Sequence, residues 1–299
     1  MAVDSVLIIA FGGPEKQADV RPFLENVLKG RRVAPQRMEE VSRHYELIGW
    51  ASPLNAITFK QAEALQSLLK KNNSQLKVYV GMRNWNPYIA DTLKVMRQEG
   101  RKRPLVLILA PHRCLASWDR YQQNVADSND QTTCAYNEPW HNHPLFINAI
   151  VERIKECYKK MPQAEAVYTP WIFTAHSIPL EMDQASGYSR QIEETARLVA
   201  RSLNHSRWFL AYQSRSGRPD DPWLEPDVRD KIKTLAKEKI KSVLLIPIGF
   251  VCDHVEVLYD LDVEAKQTAQ ECGVRYARAQ TVSDHPLFIR MLYDLVLRA

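Results

Sequence analysis

The sequence predicts an α/β protein of two similar Rossmann-like domains, each a parallel sheet flanked by helices. Three observations lead there. Six short runs rich in Val, Ile and Leu recur along the chain, and amphipathic stretches with helical spacing lie between them. The motif His-Pro-Leu-Phe-Ile occurs twice, at 143–147 and 285–289, each time after three such runs. Strands buried on both faces read as unbroken apolar runs, and strands alternating with helices make parallel sheets.

Each element follows in order. VLIIA (6–10) is the first strand, followed by the helical patterns VRPFLENVLKG (20–30) and ITFKQAEALQSLLKK (57–71). LKVYVG (76–81) and LVLILA (105–110) are strands, separated by the helix YIADTLKVMRQEG (88–100). His143-Pro-Leu-Phe-Ile147 then opens the amphipathic INAIVERIKECY. The second half repeats the scheme with WIFTA (171–175), YSRQIEETARLVARSL, WFLAY (208–212), VRDKIKTLAKEKI and VLLIPI (243–248). It closes on His285-Pro-Leu-Phe-Ile289 and RMLYDLVLRA. Pro162 interrupts the polar segment between Tyr158 and Thr169, so the boundary is drawn there, giving domains 1–160 and 161–299. Docking of the last helix on the first domain stays open.

Composition narrows the class. With 45% hydrophobic and 25% charged residues in 299, the chain has the profile of a soluble globular protein, and no apolar run spans a bilayer. MAVDSVLIIAFGG lacks a basic region before its apolar stretch and does not read as a signal peptide, so the expected location is the cytoplasm. A net charge of +5 in scattered clusters does not demand nucleic acid, and an anionic small molecule suits it equally. The five cysteines, Cys114, Cys134, Cys157, Cys252 and Cys272, include no Cys-x-x-Cys pair, which gives no support to a disulfide framework, a cysteine-built zinc site or an iron–sulfur cluster.

Ligands of open parallel sheets bind beyond the carboxyl ends of the strands, so the residues following each run are the candidates. They are Phe11-Gly12-Gly13-Pro14, Met82-Arg83-Asn84-Trp85, Pro111-His112-Arg113, His176-Ser177-Ile178-Pro179, Gln213-Ser214 and the stretch from Gly249 through His254. His176, in TAHSIP, is read either as a proton acceptor or metal ligand, or as a histidine capping the sheet end by hydrogen bonds. Ser177 lacks the Gly-x-Ser-x-Gly elbow of a hydrolase. In DHVEVLYDLDVEAK, a helix would line Glu256, Asp260 and Glu264 on one face at i, i+4 and i+8. Such a row is either a solvated acidic face or a holding site and path for a divalent cation; Asp253 and Asp262 fall off it and read as capping or surface residues. FGGPE lacks the Gly-x-Gly-x-x-Gly spacing of a phosphate cradle, and no Walker sequence occurs. Phe11, Trp50, Trp85, Tyr121 and Trp223 could stack on a flat macrocycle or serve as core.

Taken in order, these segments resemble the ferrochelatase family over nearly the whole chain. IAFGGPE with DVRPFLENVLKGR, IGWASPLNAIT with Gln61, TAHSIP, YQSRSGRPDDPWLEPDV and IPIGFVCDHVEVLYDLDVE all look like the family's signatures, the last being the most specific. The resemblance implies a lyase of haem and porphyrin biosynthesis that inserts ferrous iron into a porphyrin without ATP, in a cleft between two Rossmann-like domains. It implies His176 and Glu256 as catalytic and metal-facing residues, with Asp260 and Glu264 continuing the row that carries metal or protons. Phe11, Lys29, Arg31, Ser52 and Tyr121 match positions near the porphyrin or its propionates. No cofactor is expected beyond the substrate Fe2+, and no [2Fe–2S] cluster. The partners implied are porphyrin and iron, without nucleic acid, in a monomer; contact with a membrane surface or other haem-pathway enzymes stays open.

Departures qualify this. Phe11 stands where some relatives carry a tyrosine, so a phenol-oxygen role is lost. Asn84 replaces a histidine of some relatives, His112-Arg113-Cys114-Leu-Ala-Ser-Trp118 differs from the usual serine- and tyrosine-rich version, and Cys252 replaces a small residue. The opening segments and ASPLNAIT lean toward coproporphyrin III over protoporphyrin IX. The rival readings are a chelatase for another metal or tetrapyrrole, such as cobalt, a non-catalytic porphyrin- or haem-binding protein, and a binding protein for an anionic solute.

Overall fold

The computed structural model describes residues 3–29, 35–128, 132–162, 168–216 and 220–299. Two four-stranded, wholly parallel sheets form, as expected for an α/β chain. Sheet A has the order β2-β1-β3-β4, with β1 (Ser5–Ala10), β2 (Lys77–Met82), β3 (Pro104–Ile108) and β4 (Ala135–Tyr136). Sheet B has the order β6-β5-β7-β8, with β5 (Trp171–His176), β6 (Trp208–Gln213), β7 (Ser242–Pro247) and β8 (Arg275–Arg278). The two orders are the same when the strands of each half are counted in sequence.

Six strands coincide with the apolar runs. The central strand of each sheet is sealed: Val6 through Ile9 in β1 and Trp171 through Phe173 in β5 have no exposed surface. The two strands missing from the sequence reading, β4 and β8, lie at sheet edges. One is only two residues long, and the other is Arg-Tyr-Ala-Arg, whose charged ends break the apolar signal.

The helices are α1 (Gln17–Val27), α2 (Pro35–Leu47), α3 (Leu54–Lys71), α4 (Ile89–Gln98), α5 (Arg120–Asp127), α6 (Pro144–Tyr158), α7 (Leu180–Ser186), α8 (Tyr188–Ser202), α9 (Val228–Lys237), α10 (Lys266–Glu271) and α11 (Pro286–Leu297). The polar α2, PQRMEEVSRHYEL, carries too few apolar residues to announce itself. The repeated His-Pro-Leu-Phe-Ile motif proves to be a helix start. His143 and His285 each cap a helix by accepting the backbone N–H two residues on at 3.2 Å, with Pro at the first helical position.

The chain divides into two compact units. The first comprises Met1–Ala110, Ala116–Pro139 and Ser283–Ala299; the second comprises Pro111–Leu115 and Trp140–Val282. Thus α6, which follows sheet A in sequence, belongs to the second unit and packs on α8, while α11, which follows sheet B, belongs to the first and packs on α3. Gln61 in α3 donates to the Ser283 carbonyl at 2.8 Å, holding the segment that leads into α11. Among the described residues no helix is long and apolar enough to cross a membrane. The five cysteines are free thiols.

Candidate functional site

The site in the second unit begins with close packing at the end of β5. Gly249 follows β7 and lies so near that a Cβ there would meet Ala175 Cα at 2.7 Å. The Gly249 N–H also donates to the Thr174 carbonyl at 3.1 Å. Glycine is therefore what lets the chain leaving β7 run against the end of β5, next to His176.

From there the chain enters a helical turn, Val255–Val257, capped by His254, whose Nδ1 accepts the Glu256 N–H at 3.3 Å. It continues as a π-helix over Leu258–Ala265 where the sequence suggested an ordinary helix. π-helical geometry is rare and is found frequently at functional sites. Val257, Leu261 and Ala265 point into the core against Ile172, Val243 and Leu245 of sheet B. Glu256, Asp260 and Glu264, each one residue earlier, are kept partly accessible by the same spacing.

His176 Nε2 and Glu256 Oε1 are 3.6 Å apart, so the two residues come together from separate stretches of the chain. The Nδ1 nitrogen of His176 donates to the Ser177 carbonyl, which fixes the ring and leaves Nε2 as its working atom. Both groups are recessed yet reachable, with 28% and 40% of their side-chain surface open. Burial opposes charge on each. The charge attraction between them outweighs it, raising His176 to about 9 and lowering Glu256 to about 2. At neutral pH the pair is an imidazolium and a carboxylate.

Asp260 behaves differently. Burial pushes it up, Glu256 and Glu264 push in the same direction, and a hydrogen bond from Ser214 only partly offsets them, leaving it at about 7. The residues after β6 hold this segment: Gln213 Nε2 donates to the Glu256 carbonyl, and Ser214, in the left-handed region at φ 62°, donates to Asp260 Oδ2. Glu264, at the far end of the row, is approached by Arg229 of α9 at 3.3 Å. Asp253 and Asp262, read as capping or surface residues, instead share the buried guanidinium of Arg278.

In the first unit, Phe11 follows β1 with 37% of its surface exposed and makes a T-shaped contact with Phe23, ring centres 6.2 Å apart. The Arg83 guanidinium lies 5.8 Å from the Phe11 ring and 6.0 Å from the ring of Tyr121, a buried residue of α5. Ser52 is buried against Gly13, where a Cβ would come within 2.7 Å of it. Asn55, which the sequence reading passed over, locks the turn between them: its side-chain amide accepts from Gly13 N and donates to Gly13 O, both at 3.0 Å. Phe11, Ser52 and Tyr121 thus belong to one neighbourhood beyond sheet A. Lys29 is exposed just past α1, and Arg31 lies outside the described residues. Asn84, at the former histidine position, uses its side chain on the Phe11 carbonyl at 3.2 Å.

Among the described residues no three His, Cys, Asp or Glu side chains form a ready metal cage. The arrangement in the second unit can exchange protons near neutral pH and attract a cation through its carboxylates.

Comparison with known proteins bears on this geometry. The chain matches the family described as Ferrochelatase over residues 3–299. It is 42% identical to a ferrochelatase of Rhodopirellula baltica, over 98% of this chain and 85% of that protein. It is 40% identical to a coproporphyrin III ferrochelatase of Mycolicibacterium paratuberculosis, over 99% and 88%. Among solved structures, SirB from Bacillus subtilis with Fe3+ superposes with a TM-score of 0.62 over 100% of this chain and 95% of that one; at 12% identity this is a likeness of fold.

Proposed function

The chain belongs to the ferrochelatase family, and from that premise we propose that it inserts ferrous iron into a porphyrin, with coproporphyrin III the favoured acceptor. The observation that carries this reading is the His176–Glu256 pair at 3.6 Å with Asp260 beside it, poised near neutrality.

Insertion exchanges one dication for two pyrrole N–H protons, so the site must attract positive charge and take protons away. Glu256 and Asp260 supply the attraction, and Glu264 extends the approach. His176 enters the reaction charged; its Nε2 lone pair becomes available to a metal or a pyrrole proton only after its own proton has passed on. Asp260, titrating near 7, is matched to receiving protons and releasing them to solvent. Phe11, Lys29, Arg31, Ser52 and Tyr121 are the proposed porphyrin contacts, the aromatic residues for the macrocycle and the cationic and hydroxyl groups for its carboxylates. Contacts spread over the periphery can supply the binding energy that bends the ring and exposes its nitrogens.

The test is an anaerobic assay offering ferrous iron or zinc with coproporphyrin III and protoporphyrin IX side by side. The free-base spectrum of coproporphyrin III is expected to disappear faster. Metal insertion into neither porphyrin would overturn the reading, and a preference for protoporphyrin IX would overturn only the substrate.

A further inference from the structure

The acidic segment is held at both ends by one side chain that plays no part in the mechanism above. Arg278, the last residue of β8, has 10% of its side chain exposed. Its Nε and Nη2 donate to the two oxygens of Asp262 at 2.6 Å each, a bidentate fork, while Nη1 and Nη2 reach the two oxygens of Asp253 at 3.3 Å. Thr281 adds a hydrogen bond to Asp253 at 3.1 Å.

Asp253 precedes Glu256 and Asp262 follows Asp260, so the two carboxylates bracket the working residues. The apolar face of the segment, Val257, Leu261 and Ala265, fixes its depth in the core. Greasy packing constrains sliding and rotation weakly, because neighbouring placements bury similar area. A planar fork between two carboxylates is directional and permits one placement. Without the guanidinium, two partly buried like charges would face each other uncompensated and the segment would shift to separate them.

We propose that Arg278 is a positioning residue for metal insertion, its guanidinium pinning through Asp253 and Asp262 the segment that presents Glu256 and Asp260 to His176. The inference rests on the reading of that site as the place of insertion. Displacement of reacting groups by about 1 Å can cost on the order of 100-fold in rate.

The experiment compares Arg278→Met, Arg278→Lys, Arg278→Gly and Asp262→Asn with the wild type for zinc insertion into coproporphyrin III. Porphyrin-binding stoichiometry is measured alongside. Arg278→Met is expected to lower kcat on the order of 100-fold while the porphyrin KM stays within about twofold. Arg278→Lys should recover only part of the loss, and added methylguanidine should raise the activity of Arg278→Gly. Should Arg278→Met fail to fold, Asp262→Asn decides, with an expected fall in kcat on the order of 10-fold and full porphyrin binding. A loss of kcat matched by an equal loss of binding capacity, or an Asp262→Asn variant as fast as wild type, overturns the proposal while leaving the function intact. A wild type that inserts no metal overturns both.

Discussion

His112 lies past the carboxyl end of β3 and His176 is the last residue of β5; the first is buried, and the second is recessed with part of its ring open. His176 is raised to about 9, whereas His112 is pushed well below the ordinary histidine range. Burial disfavours the charged ring in both cases. What differs is the neighbour: His176 faces the Glu256 carboxylate, while His112 meets the Thr195 hydroxyl at 2.9 Å and lies near the ring of His141. Thr195 gives its own hydrogen to a carbonyl, so His112 Nε2 donates to it and the ring stays neutral. A strand end provides a place for chemistry, and the partner decides whether the histidine there is a working group or a wedge.

The sharpest way to break this comparison is to replace each ring by glutamine. His176→Gln should lower kcat/KM for zinc insertion by roughly 100- to 10,000-fold, the range for a lost acid–base group, while His112→Gln stays within about threefold. Equal losses in steady-state assays would mean that the carboxylate neighbour is irrelevant.

Next in size is Gly249→Ala. Its methyl would press on the Ala175 backbone beside His176, and overpacking of this kind costs about 1–3 kcal/mol. Chemical denaturation should show that loss together with impaired turnover. Lost stability with unchanged turnover would mean that β5 does not set the position of His176.

A third test uses acid. The folded pKa of His112 lies below its unfolded value, so unfolding takes up a proton in the window between them. The stability it permits is complete above the unfolded value near 6.5 and is lost as pH falls through the folded value. Thermal unfolding from pH 7.5 to 5 should therefore show a steeper fall for wild type than for His112→Gln. His176 has the opposite sign: its contribution is complete below about 6.5 and lost as pH rises through about 9. Parallel curves for wild type and His112→Gln would refute the assignment of a buried neutral ring.

The smallest effect is expected for Ser214→Ala, which removes the hydrogen bond that partly offsets the rise of Asp260. The acid limb of the pH–rate profile should move upward by about one pH unit, the lower end for a hydrogen bond to a charged group. An unmoved limb would detach Asp260 from the proton path.

Much of this was legible in the chain. Six strands announce themselves as apolar runs, most clearly the four inner ones, β1, β3, β5 and β7, whose faces are both covered, and the twin His-Pro-Leu-Phe-Ile motifs mark real helix starts. The edge strands β4 and β8 were missed because short polar edges carry little pattern. Glu256, Asp260 and Glu264 could be placed on one face from spacing alone, and the π-helix preserves that grouping. Arg278 could not be found, nor could the roles of Gln213, Ser214 and Asn55, because their partners lie 16 to 46 residues away or are backbone atoms no motif records. Asp253 and Asp262 were misread for the same reason: nothing in a run of acidic residues shows that one buried arginine from a later strand will claim two of them.

The exchange of helices α6 and α11 has a consequence for biosynthesis. Residues 140–282 contain nearly all of the second unit, whereas the first lacks Phe288, Ile289, Met291, Leu292 and Val296, the buried face of α11, until after the second has been synthesised. The half that leaves the ribosome first is thus the last to be finished. Until then the α3 surface that receives α11 waits uncovered, a stretch of nascent chain suited to chaperone capture.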